Sequence, residues 1–250
     1  MRLRVFSDLH CEFRPVTLPP ADADVVVLAG DIHWGVEGVA WIRAQFPDQP
    51  VVYVAGNHEF YHQTAPDVLD ELRAACVGTN LHFLENDAVE LGGFTFLGCT
   101  LWTDFCLFGA ARQVEAWAQA AALLSDYRNI SLASTGRLLN AKETVRWHEA
   151  SRRWLEQELA SREPRTTIIV THHAPSSQSL PTRLRGQLLT AAFASNLDAL
   201  IQRSGVPLWI HGHTHHSTHY TIGPTHILAN QRGYPKELDL GFNADMIVKL

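Results

Sequence analysis

The sequence predicts an α/β fold, and three observations carry that expectation. Short apolar runs rich in β-branched residues recur at Leu3 to Phe6, Val25 to Ala29, Val51 to Ala55, Thr167 to Val170 and Leu208 to Ile210. Such runs suit strands buried on both faces. Helical patterns lie between them, so strand and helix alternate. Further short strands around glycine turns suggest antiparallel hairpins added to a parallel core.

Each element has its own local reason. After the first three runs, Ala65 to Ala75 reads as a helix opened by a proline and closed at Gly78. Leu81 to Leu84, Ala88 to Leu91 and Phe94 to Leu97 read as strands, the last two joined by Gly92-Gly93. The alanine-rich stretch Ala110 to Leu124 is a helix, as is Lys142 to Ala160, which stops before Pro164. Tyr220 to Ile222 and Thr225 to Leu228 form a hairpin around Gly223-Pro224. With no repeat, low-complexity tract or dividing linker, residues 1–250 are expected to form one domain.

Composition narrows the function. Subtracting 26 acidic from 20 basic side chains leaves a net charge of −6, and no basic stripe offers the electrostatic footprint of a nucleic-acid binder. The opening MRLRVFSDLH is too short in apolar residues for a secretory leader, so a cytoplasmic protein without membrane association is expected. Cys11, Cys76, Cys99 and Cys106 form no CxxC pair, which points to reduced thiols and away from a thiolate zinc site.

The informative pattern lies just past the end of each strand. Asp8 and His10 come after the first run, Asp31 after the second, and Asn57, His58 and Glu59 after the third. His172 and His173 come after the Thr167 run. The Leu208 run ends in His211, His213, His215 and His216. Ligands of open α/β sheets bind at the carboxyl ends of strands, so residues just beyond five strand ends can converge in one crevice. Each alone is ordinary turn chemistry. Together, strand ends supplying Asp, Asn and His provide the donors a hard-to-borderline divalent metal requires. Seven candidates, Asp8, His10, Asp31, Asn57, His172, His213 and His215, exceed one tetrahedral zinc and suit two ions sharing a carboxylate.

The set SDLH, GD, GNHE, THH and GHTH, in that order from Ser7 to His215, resembles the calcineurin-like metallophosphoesterase superfamily, in its small bacterial-type branch. The resemblance implies a four-layer αββα sandwich of two mixed sheets flanked by helices. It implies that Asp8, His10, Asp31 and His215 hold one metal, that Asp31, Asn57, His172 and His213 hold a second, and that Asp31 bridges them. His58 then corresponds to a catalytic histidine that is not a ligand. The expected cofactors are two divalent ions drawn from Mn, Fe, Zn or Co.

The expected reaction is hydrolysis of a phosphomonoester or small phosphodiester by a hydroxide bridging the two ions, with His58 as hydrogen-bond donor or general acid. Glu59 can orient a neighbour. Candidate substrate contacts are His173, His211, Arg232 and Trp102; Arg183 and Arg185 also lie in loops that could meet a phosphate. The protein phosphatase branch carries GDxVDRG, whereas this chain reads Gly30-Asp31-Ile32-His33-Trp34-Gly35. Two other functions are compatible with the motifs: a nuclease that borrows nucleic-acid affinity from a partner, and a catalytically silent metal-binding interaction module.

Overall fold

In the computed structural model, which describes residues 1–133, 135–237 and 240–250, the strands in chain order are β1 (Arg2–Phe6), β2 (Val25–Ala29), β3 (Val51–Val54), β4 (Thr64–Ala65), β5 (Leu81–Phe83), β6 (Asp87–Leu91), β7 (Phe94–Cys99), β8 (Ser131–Leu132), β9 (Thr167–Thr171), β10 (Leu208–Ile210), β11 (Thr218–Ile222), β12 (Thr225–Ala229) and β13 (Ile247–Lys249). The helices are α1 (Glu37–Gln45), α2 (Asp67–Cys76), α3 (Gln113–Leu123), α4 (Asp126–Asn129), α5 (Ala141–Ser161) and α6 (Asp198–Ser204).

Two mixed sheets face each other. The first runs β13-β1-β2-β3-β5 and is parallel except for β13; the second runs β11-β12-β10-β9-β7-β6, parallel at its centre with an antiparallel hairpin on each edge. Alternation along each strand divides its side chains between two layers. Val5, Val27 and Val54 meet Phe96, Ile168 and Ile210 between the sheets. Leu28 and Tyr53 turn outward to Ile42 of α1 and Leu72 of α2, while Ile169 and Trp209 turn outward to Leu155 of α5 and Ile201 of α6. This gives the four-layer αββα arrangement, and it explains why the central strands read as unbroken apolar runs.

Local differences from the expected elements have simple causes. Leu81–Phe83 joins no hairpin but extends the first sheet, pairing parallel to β3. The second helix starts at Asp67 because Ala65 pairs with Leu132 in the small β4-β8 ribbon and Pro66 caps the helix. Ala110–Arg112 is a 3₁₀ turn leading into α3. The long α5 is capped by Asn140, whose side chain accepts from the Lys142 and Glu143 amides at 3.0 and 3.4 Å. No helix among the described residues is long and apolar enough to cross a membrane.

Candidate metal centre

The carboxyl ends of β1, β2 and β3 in one sheet and of β9 and β10 in the other open onto the same crevice. Backbone bonds knit them together: Asp8 N to Gly30 O at 3.0 Å, His10 N to Asp31 O at 3.0 Å and Gly212 N to His172 O at 2.9 Å. Asp8, His10, Asp31, His213 and His215 all have positive φ, between 45° and 70°. Non-glycine residues held in this region cost about 1–3 kcal/mol each and persist where the surroundings over-determine them. Here the left-handed turns bring each side chain back over its strand end.

The seven expected ligands form two groups that share Asp31. Asp8, His10, Asp31 and His215 place one donor atom each within 4.8 Å of one another, as do Asp31, His172 and His213. Within the first group His10 Nε2 and His215 Nε2 are 3.1 Å apart, and Asp8 Oδ1 is 3.5 Å from His215 Nε2. Within the second, Asn57 Oδ1 lies 3.0 Å from both His172 Nε2 and His213 Nδ1, which are 3.1 Å from each other.

The donor chemistry fits cations. His172 Nδ1 donates to the Ala29 carbonyl at 2.9 Å and His10 Nδ1 donates to Glu12 at 3.0 Å, so each turns an Nε2 lone pair inward. Burial lowers both imidazoles to about 4, which leaves them neutral and able to ligate. Burial pushes the Asp31 carboxyl well above the usual range, and the nearby Glu59 and Asp8 charges push it further. A cation between these groups removes that conflict. Burial alone would lower His215, but its hydrogen bonds to Asp8 and Glu237 carry it up to about 9. A metal there displaces its proton. His213 Nε2 is buried without a hydrogen-bond partner among the described residues.

Residues outside the seven expected ligands brace this arrangement. The fully buried Glu59 carboxylate accepts from the Asp31 and Ile32 amides at 3.0 and 2.8 Å, from the Gly56 amide at 2.6 Å and from Tyr53 Oη at 2.8 Å. It ties the loops after β2 and β3 together. Asp126 accepts from Asn57 Nδ2 at 2.9 Å, aiming Oδ1 at the histidines. A Cβ on Gly212 would stand 2.8 Å from both Ala29 O and Asp8 Oδ2. Gly212→Ala is therefore expected to cost about 1–3 kcal/mol and to lower metal occupancy, read by thermal unfolding and elemental analysis; an unchanged Tm with full metal would contradict the packing described.

His58 is 2% exposed. Its amide donates to Asp31 Oδ1 at 2.8 Å, its Nδ1 meets Glu12 Oε1 at 2.8 Å and its Nε2 meets Tyr234 Oη at 2.9 Å. One Glu12 oxygen thus serves both His10 and His58. Tyr234 covers His10 and His215 with ring centroids at 4.4 and 4.5 Å. It is brought there because Arg232 N and Gly233 N bond Ser7 O and Asp8 O at 3.2 and 3.0 Å. The signal for Glu12 was an acidic residue two places past His10 on the same loop; Tyr234 had none.

A cleft of about 340 Å³ opens above these groups, lined by Asp31, Asn57, His213, His215, Tyr234 and Arg183 among others. The four expected substrate contacts do not line it. Trp102 is buried against Phe60, Trp147 and His173. His173 sits behind His213, ring centroids 4.1 Å apart, with Nδ1 3.2 Å from Thr100 O. His211 bonds Ser179 Oγ at 2.8 Å, and Arg232 donates to Leu9 O at 2.7 Å. Burial or pairing keeps all four out of the cleft lining in this structure.

Facing mixed sheets with helices outside carry Asp, Asn and His donors gathered at their strand ends, a set that could hold divalent metal. The chain belongs to the calcineurin-like phosphoesterase family, whose profile matches residues 1–217. It is 25% identical over 202 residues to the uncharacterized protein L509 of Acanthamoeba polyphaga mimivirus, covering 75% of this chain and 69% of that one. Its fold is similar to that of the phosphopantetheinyl hydrolase PptH of Mycobacterium tuberculosis, with a TM-score of 0.73 at 17% identity over 94% of this chain and 90% of the other.

Proposed function

We propose that this chain is a dinuclear metal-dependent hydrolase of phosphomonoesters or small phosphodiesters. The observation that carries the reading is the pair of donor groups sharing Asp31 at the foot of a cleft. Asp8, His10, Asp31 and His215 would hold one ion and Asp31, Asn57, His172 and His213 the other. Two divalent ions, when bound, polarise the phosphoryl group and lower the pKa of water enough to make a nucleophile near neutrality.

The protein's own groups orient the substrate and manage its protons. His58, gripped by Glu12 at Nδ1, holds a hydrogen-bonding position at Nε2 beside Tyr234, whose ring forms part of the cleft wall. Neutral imidazoles and mixed carboxylate and amide donors suit Mn, Fe, Zn or Co, and availability decides among them. The cleft lies near the small end of the ligand-pocket range of about 300–1,000 Å³, which favours a small organic phosphate over a folded protein.

The test is hydrolysis of an aryl phosphate, an aryl phosphodiester, cyclic nucleotides and single-stranded DNA, each with Mn²⁺ or Zn²⁺ and with a chelator. Turnover of a small ester that the chelator abolishes and metal restores is the expected result. Silence on every substrate would favour an interaction module, and cleavage of DNA alone a nuclease.

A further inference from the structure

The cleft wall is not uniform. Besides the metal-ligand residues, the cleft is lined by Leu123 and Leu124 from the end of α3 and by Leu180, Leu184 and Phe193 from the segment after β9. Leu123 is 56% exposed, an apolar side chain left at the cleft. Arg183 lies among them and is the one arginine or lysine among the described lining residues.

Arg183 is carried on a braced loop. Its 3₁₀ turn, Thr182–Leu184, lies between two more, Ser177–Ser179 and Leu188–Ala192. Arg185 ties the turns together, donating to Leu180 O at 3.0 Å and Gln178 O at 2.8 Å, and Gln187 Nε2 donates to Arg183 O at 3.1 Å. At the base Ser179 is fully buried, 2.8 Å from His211 Nε2 and 2.7 Å from Tyr220 Oη. His211, adjoining the glycine of the GHTH motif, thereby fastens the loop to the strand end that supplies His213 and His215. The Arg183 guanidinium makes no ion pair among the described residues.

We propose that Arg183 is a specificity residue: the cleft accepts a phosphoester whose apolar organic arm lies along Leu124, Leu184 and Phe193 and ends in a second anionic group that pairs with Arg183. This rests on the phosphoesterase reading and adds the substrate class. Arg183 is exposed, so its guanidinium is free to offer a planar fork that matches carboxylate and phosphate oxygens.

The experiment compares two series of phosphonates of four, six and eight carbons, one ending in methyl and one in carboxylate, titrated calorimetrically into the manganese-loaded protein. The phosphonate end supplies the same anchor in both series. Affinity is expected to rise about fourfold for each methylene that becomes buried, and at one chain length the carboxylate compound is expected to bind about tenfold tighter than its methyl partner. In Arg183→Ala that ratio should fall to near one, and Arg183→Lys should restore part of it. A wild-type ratio near one at every length, absence of binding by either series, or a ratio that survives in Arg183→Ala overturns the proposal. The parent reading is tested separately by turnover of the aryl esters, so the two can fail independently.

Discussion

Replacing Asp31 with asparagine is expected, on the proposed dinuclear reading, to abolish turnover and to cut bound metal from two ions per chain to one or none, counted by elemental analysis of the protein. Asp31 is the residue common to both donor groups. Its Oδ2 is 3.7 Å from His10 Nε2 and its Oδ1 is 3.5 Å from His172 Nε2, so one side chain faces both sets of imidazoles. An asparagine keeps the shape but loses the charge that two adjacent cations would require. The metal-free protein should respond in the opposite way. Burial, then the charges of Glu59 and Asp8, raise the folded Asp31 pKa far above that of an unfolded aspartate. A carboxyl raised on folding contributes stability that is fully present below its unfolded pKa of about 3.9 and is lost as pH climbs toward the folded value. Metal-stripped Asp31→Asn should therefore have a higher Tm than metal-stripped wild type at neutral pH, with the gap closing in acid. Full activity with two ions retained would remove Asp31 from the bridging position.

The contrast between ligands and their supports explains how much of this site was legible. Asp8, Asp31, Asn57 and His172 announce themselves because each stands within a few residues of a buried strand, and a strand end is recognisable from local pattern. The supports come from remote parts of the chain. Asp126 is 69 residues from the Asn57 it orients, and Tyr234 is 176 residues from His58. No local rule marks either position. Trp102 comes after β7, as a ligand residue comes after its strand. Its backbone instead takes φ of 49° and its indole packs with Phe60 and Trp147. Arg232 likewise follows a strand end, that of β12, but pairing of Gln231 with Ser7 directs its guanidinium to the Leu9 carbonyl. The same pairing carries Tyr234 into the site two residues later. The layered fold was more legible, because unbroken apolar strands require cover on both faces, whereas short edge elements such as β13 depend on a partner strand distant in sequence.

His58→Asn is expected to keep both metals and to lower turnover by about 10²–10⁴-fold for an alkyl leaving group, the range typical of a lost general acid or positioned donor. The loss should be much smaller for a nitrophenyl leaving group, which departs without a proton. The structure adds a condition that sequence motifs do not contain. His58 is buried, and the hydroxyl of Tyr234 stands 2.9 Å from its Nε2 while the Tyr234 ring belongs to the cleft wall. Whatever His58 supplies to a substrate must pass Tyr234 or wait for it to move. Burial, together with the charges of Asp31 and Asp126, pushes the Tyr234 phenol far above its ordinary range, so it remains a hydroxyl that can both donate and accept. Tyr234→Phe is accordingly expected to lower turnover of the alkyl ester by about tenfold or more, less than His58→Asn, with the same leaving-group dependence. In the double variant the two losses should not multiply, because both residues act along one hydrogen-bonded path from Glu12 to the cleft. A faster Tyr234→Phe enzyme would mean that the phenol only screens His58, and equal losses for alkyl and nitrophenyl esters would separate both residues from the departing oxygen.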